Sequence, residues 1–248
     1  AFIAGFLLKF FSWNFTFILP GIISIFLGCV LLYLIYLKKI SFTNIKSNFV
    51  NEVNSTNNLI LIAIIMLCAM FGLGLTFQIM QTSLPKVFDI RLNNFSTFEI
   101  GTTIGIIYLI SGLMTFIGGL LADKFSLKYL YVVGLAGQIP CYLFIAYFSG
   151  FPLIFACLLA ALFNSSILPA ENILLSKFTP AKHHGLIYGC KFIIAFGSGP
   201  MAVFLVAKIY ELTFEFTNLF IISSLVMLFV FSLALFLPFQ NKNLDISN

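Results

Sequence analysis

Seven stretches of this chain are almost wholly apolar for about twenty residues or more: 13–37, 58–82, 98–122, 128–148, 151–173, 185–208 and 216–239. At 1.5 Å of helical rise per residue, a run of about 20 apolar residues matches the ~30 Å hydrocarbon thickness of a bilayer. Water is excluded as the surrounding solvent by the scarcity of charge. Only 8% of residues are charged and 61% are hydrophobic, whereas a soluble domain carries about a quarter charged residues. The net charge of +5 is spread thinly between the apolar blocks. A nucleic-acid-binding surface would gather its Lys and Arg on one face, so no nucleic-acid partner is expected. A β-barrel would alternate apolar and polar residues over about ten positions, but blocks such as 58–77 and 216–239 are apolar on every side. The expected fold is an all-α membrane protein, a polytopic helical bundle with the lipid bilayer as its first partner.

One long polar segment interrupts the pattern: KKISFTNIKSNFVNEVNSTN, residues 38–57. It cannot span a membrane, and it divides the chain into 1–37, with one whole helix at 13–37, and 58–239, with six helices. Residues 240–248 form a polar tail. The other connections are short, so consecutive helices run antiparallel. Lys and Arg in alternate loops set the orientation. One side collects Lys38, Lys39, Lys46, Lys124, Lys128, Lys177, Lys182 and Lys242, and the other Lys9, Lys86, Arg91 and Lys208. This places the linker, the loop at Asp123 and the C-terminus in the cytoplasm, in a bacterial-type inner or plasma membrane. The opening AFIAGFLLKFF lacks a basic start and a cleavage site, and reads as the tail of an earlier, eighth helix rather than a signal peptide.

Cys29, Cys68, Cys141, Cys157 and Cys190 all fall inside apolar blocks without metal-type spacing, and are expected to pack as small hydrophobes. Glycines recur within the helices, with Gly101 and Gly105 in GxxxG spacing. They serve either static close packing or faces that slide during a conformational cycle.

The segment Gly119 to Lys128, GLLADKFSLK, is a helix end that packs through glycine and then presents an acid and two bases. Such an acid can pair with a neighbouring base or with a helix N-terminus, holding one helix arrangement and releasing it in another. Gly119, Asp123, Lys124, Ser126 and Lys128 resemble the loop signature of the major facilitator superfamily. Leu127 stands where that family usually has a base. The linker 38–57 resembles the loop joining the family's two halves. The segment 13–28, WNFTFILPGIISIFLG, resembles its sixth helix. PAENILLSKFTPAKHHGLIYG, 169–189, resembles its tenth-to-eleventh connection, with His184 in the place of a base. The resemblance implies twelve helices in two pseudo-symmetric halves with a substrate site between them near the midplane. This chain would supply helices six to twelve, an incomplete bundle whose missing N-terminal helices are a further partner.

Ionisable groups within a span are costly and are functional candidates by default. Glu171 and Lys191 qualify, as an ion pair that gates or carries a coupling proton. Alternatively, Lys191 snorkels to the interface and Glu171 sits in headgroup water. Gln78, Gln81, Asn164, Ser165 and Ser166 are candidates for lining a cavity or for bonding between helices. His183 and His184 have no companion ligands nearby, so neither a metal nor another cofactor is expected. Trp13, Tyr129 and Tyr131 are expected as interface anchors. The reading is a secondary transporter of a small solute by alternating access, with proton or sodium as coupling ion, and not an enzyme. No phosphate-cradling loop for ATP is present. A non-transporting receptor or scaffold of the same fold, and a membrane-embedded enzyme, are the rivals.

Overall fold

The computed structural model of the chain describes residues 13–37, 56–92, 95–177 and 184–237. The expected upstream helix tail, most of the 38–57 linker, His183 and the 240–248 tail lie outside the described residues, as does the His184 side chain. Among the described residues there are seven helices and no strand: α1 (Trp13–Tyr36), α2 (Thr56–Arg91), α3 (Thr97–Lys124), α4 (Leu127–Tyr147), α5 (Gly150–Lys177), α6 (His184–Thr213) and α7 (Thr217–Leu235). All seven are long and apolar enough to cross a membrane. In hydrocarbon each backbone N–H and C=O must find its partner within the protein, and a helix meets that demand by itself.

The chain divides into two compact units, Ala1–Asn48 and Phe49–Asn248. The first contains α1. In the second, α2 to α7 form an antiparallel bundle in which α5 packs on α3 and α4, α4 also packs on α7, and α2 packs on α6 and α7. The α5 faces that meet α3 and α4 are built from small side chains: Ala156, Cys157, Ala160, Ala161 and Ala170 are buried. Small residues let helices approach where lipid offers no hydrophobic drive. Larger residues, among them Phe88, Tyr142 and Phe220, fill the core, Tyr142 stacking on Phe220 with ring centroids 6.5 Å apart. Of the cysteines, Cys141 and Cys157 are buried, while Cys29 and Cys68 face outward. A side chain added at Gly101 or Gly105 would meet nothing within 4 Å.

Local chemistry sets the helix ends. Ser96 and Glu99 form a reciprocal capping box at the start of α3, with Ser96 N–H donating to Glu99 Oε2 at 2.7 Å. Gly150 takes φ +66° at the α4–α5 turn, a conformation that costs glycine little. The second helix runs past its expected end at 82 to Arg91. Its last turns are amphipathic: Leu84, Val87 and Phe88 are buried while Lys86 and Asp89 pair at 2.7 Å on the exposed side. Mean hydropathy therefore falls before the helix ends.

Arg91 ties three helices at this end. Its guanidinium donates to the carbonyls of Ile145 (2.7 Å) and Ala146 (3.0 Å) in the last turn of α4, and to Thr217 Oγ1 (3.0 Å) at the start of α7. Glu215 stands 3.5 Å away. A cation at the carbonyl end of a helix is favoured by the aligned peptide dipoles. Arg91→Met should lower stability by about 2–3 kcal/mol, read as thermal unfolding in detergent. Arg91→Lys should recover only part of the loss, because one ammonium cannot span partners that a planar fork reaches together.

Candidate functional site

Polar side chains inside the spans divide by how they are satisfied. Thr76, Ser83 and Ser223 donate back to the carbonyl four residues earlier on their own helices, which removes the cost of burial without a second helix. Ser111 and Ser165 bridge α3 and α5 at 2.5 Å. Ser224 donates to Ile139 O across α7 and α4 at 3.0 Å.

The buried charge is concentrated between α5 and α6. Glu171 Oε1 and Lys191 Nζ form an ion pair at 2.5 Å, with 4% and 9% of their side chains exposed. Lys191 also donates to Asn172 Oδ1 at 2.6 Å, and the Tyr188 hydroxyl to Asn172 O at 2.9 Å. The backbones of α5 and α6 make little close contact, so this cluster spans a seam that side chains alone fill. Among the described residues Glu171 is the one buried acid. A buried pair contributes little net stability, yet separating it strands a charge at about 3–5 kcal/mol. That makes it a discriminator between conformations.

The other candidates fall in three places. Asp123 and Lys124 are exposed at the end of α3, and Ser126 is half-buried. Lys128 is buried and donates to Leu235 O at 2.8 Å, capping the last turn of α7. An α-carbon substituent at Gly119 would meet nothing within 4 Å. Gln78 is half-buried, its amide against Gly199 of α6, and Gln81 is exposed. Asn164, Ser165 and Ser166 are all buried, with Ser166 O in close contact with Gly118 of α3. The structure therefore brings Glu171 and Lys191 together.

One expectation is corrected. Tyr131 is not an interface anchor: it is fully buried, while Tyr129 is 60% exposed. Residues two apart on a helix point about 200° apart, so both could not face lipid. Arg91, Asn172 and Tyr131 were missed as structural or site residues.

The sequence matches the family described as Major Facilitator Superfamily over residues 59–245. In fold the chain is similar to the crystal structure of a Major Facilitator Superfamily transporter, FucP, in the outward conformation. The identity is 15% and the TM-score 0.69, covering 93% of this chain and 59% of that one. It is similar also to a variant of the E. coli fucose:proton symporter FucP, at 15% identity and TM-score 0.68, covering 86% of this chain and 53% of that one. The chain thus spans 59% of the length of the first of these structures, and the likeness is one of fold. Among curated proteins no sequence match is found.

Proposed function

Because this chain belongs to the major facilitator superfamily, we propose that it works as the C-terminal part of a secondary carrier that moves a small solute by alternating access. It is an integral membrane protein of transporter type. In the proposal, helices of the N-terminal half complete the carrier. The solute passes between the halves, and a proton drives it.

The observation that carries the coupling is the pair of Glu171 and Lys191, buried at 2.5 Å across the α5–α6 seam. Closed, the pair neutralises both charges. Open, Glu171 faces water and is free to exchange its lysine partner for a proton. A buried carboxylate of this kind is suited to a proton; a sodium site would ask for a cage of oxygens. The fucose:proton symporter of similar fold is driven by the same ion. Asp123, Lys124 and Lys128 lie at the same end of the bundle as the pair. The loop charges counted in the sequence support assigning that end to the cytoplasm. Gly119, Asp123, Lys124, Ser126 and Lys128 then form a hinge that holds the cytoplasmic contacts. Gln78 and Gln81 are the polar side chains best placed to meet solute, being the least buried of the cavity candidates.

The test uses the complete carrier in proteoliposomes containing a pH-sensitive dye. Sugars, carboxylates, peptides and amphipathic drugs are added outside in turn. One class should trigger saturable proton entry, and Glu171→Gln should abolish it. Solute flux without proton movement removes proton coupling, and no flux with any class removes the transport reading.

A further inference from the structure

The Tyr131 hydroxyl is fully buried and makes no hydrogen bond. A donor stranded in this way is rare, because most buried polar atoms find a partner. Its surroundings are set by close packing of α4 on α5. A side chain at Gly134 would overlap Ile167, and one at Gly137 would overlap the Phe163 ring. These contacts give an antiparallel register in which residue 131 falls level with residue 171.

Glu171 therefore has one donor in contact, and an unpartnered donor at its own level on a different helix. Lys191 approaches from α6, which packs on α2, and holds the carboxylate at 2.5 Å. Tyr131 approaches from α4, which packs on α5 and carries the hydroxyl wherever α5 goes. The half of α6 bearing Lys191 precedes the run Gly197, Ser198, Gly199 and Pro200. There proline removes one backbone hydrogen bond and glycine loosens the turn, so the helix bends at low cost. We infer that Tyr131 is the second partner of Glu171. When α6 swings away with Lys191, the carboxylate turns to the Tyr131 hydroxyl, so the seam opens without leaving Glu171 unbonded. The hydroxyl is idle in the paired state because its acceptor is turned toward α6. Tyr131 is a positioning residue, acting through Glu171, and the inference rests on the gate reading of the Glu171–Lys191 pair.

The experiment reads the seam directly and requires no knowledge of the solute. In the complete carrier with native cysteines replaced, spin labels are placed by Tyr129→Cys on α4 and Leu186→Cys on α6, both exposed positions. Pulsed electron resonance then gives the populations of short and long distances. Tyr131→Phe keeps the ring and removes only the idle hydroxyl, so folding is preserved. It should lower the long-distance population about tenfold, the weight of one hydrogen bond to a charged group. Glu171→Gln should raise that population, and Tyr131→Phe should have far less effect in the Glu171→Gln background. An unchanged distribution in Tyr131→Phe, with Glu171→Gln still opening the seam, overturns the inference and leaves the gate standing. A distribution unmoved by Glu171→Gln overturns both.

Discussion

Lys191→Met is expected to leave the carrier in the membrane and to cut its accumulation of solute about a hundredfold. The methionine side chain matches the lysine stem in length, so packing against α5 survives. The ammonium, with its bonds to Glu171 and Asn172, does not. Stranding a buried carboxylate disfavours the closed seam by about 3–5 kcal/mol. Since about 1.4 kcal/mol is tenfold in a population, the closed state falls by about a hundredfold or more. Accumulation against a gradient needs that state, because a carrier that cannot close one end leaks through it. The double variant Lys191→Met, Glu171→Gln separates function from folding. With both charges gone, the desolvation cost goes too, and thermal stability should return close to the parent's. Accumulation should not return, because nothing then distinguishes closed from open. Uptake at matched protein incorporation, beside thermal unfolding of the same preparations, checks both. Parental uptake kinetics in Lys191→Met would reduce the pair to a packing feature.

The sequence made the spans legible because hydrocarbon imposes a contiguous demand: every residue over about 30 Å must tolerate lipid. It exposed Glu171 and Lys191 for the same reason, since charge inside a span is rare enough to notice. It did not reveal which way each helix faces. In water a helix shows its buried side by its apolar stripe. In lipid the outer face is apolar as well, and the stripe vanishes. Ser165 and Ser166 therefore read in sequence equally as cavity lining or as bonds between helices, and they sit within the α3–α5 contact. Tyr131 looks like an interface aromatic but is fully buried. Arg91 reads as one more loop cation, because its acceptors, the Ile145 and Ala146 carbonyls, are backbone groups 54 and 55 residues away. No side-chain pattern signals a backbone acceptor. The end of α2 was hidden differently, its amphipathic final turns lowering the local hydropathy.

Adjacent glycines at the end of α3 should answer to substitution with opposite signs. A Cβ at Gly118 would collide with the Ser166 backbone, coming within 2.9 Å of its Cα and closer still to its carbonyl oxygen. Backbone atoms cannot step aside as a flexible side chain can. Gly118→Val must therefore lever α3 off α5, and the Ser111–Ser165 hydrogen bond (2.5 Å), two turns away, goes with it. Overpacking of this kind costs about 1–3 kcal/mol, and the broken bond adds about 1 kcal/mol. Gly119 points elsewhere, with nothing within 4 Å, so Gly119→Ala should raise helix stability by about 0.5–1 kcal/mol through backbone entropy alone. If Gly119 also belongs to the hinge, as proposed, Gly119→Ala will slow transport in the complete carrier while its unfolding temperature rises. Gly118→Val would lose both together. Thermal unfolding of the two variants side by side in detergent decides the first part, and equal unfolding temperatures would show that α3 and α5 do not approach as closely as described.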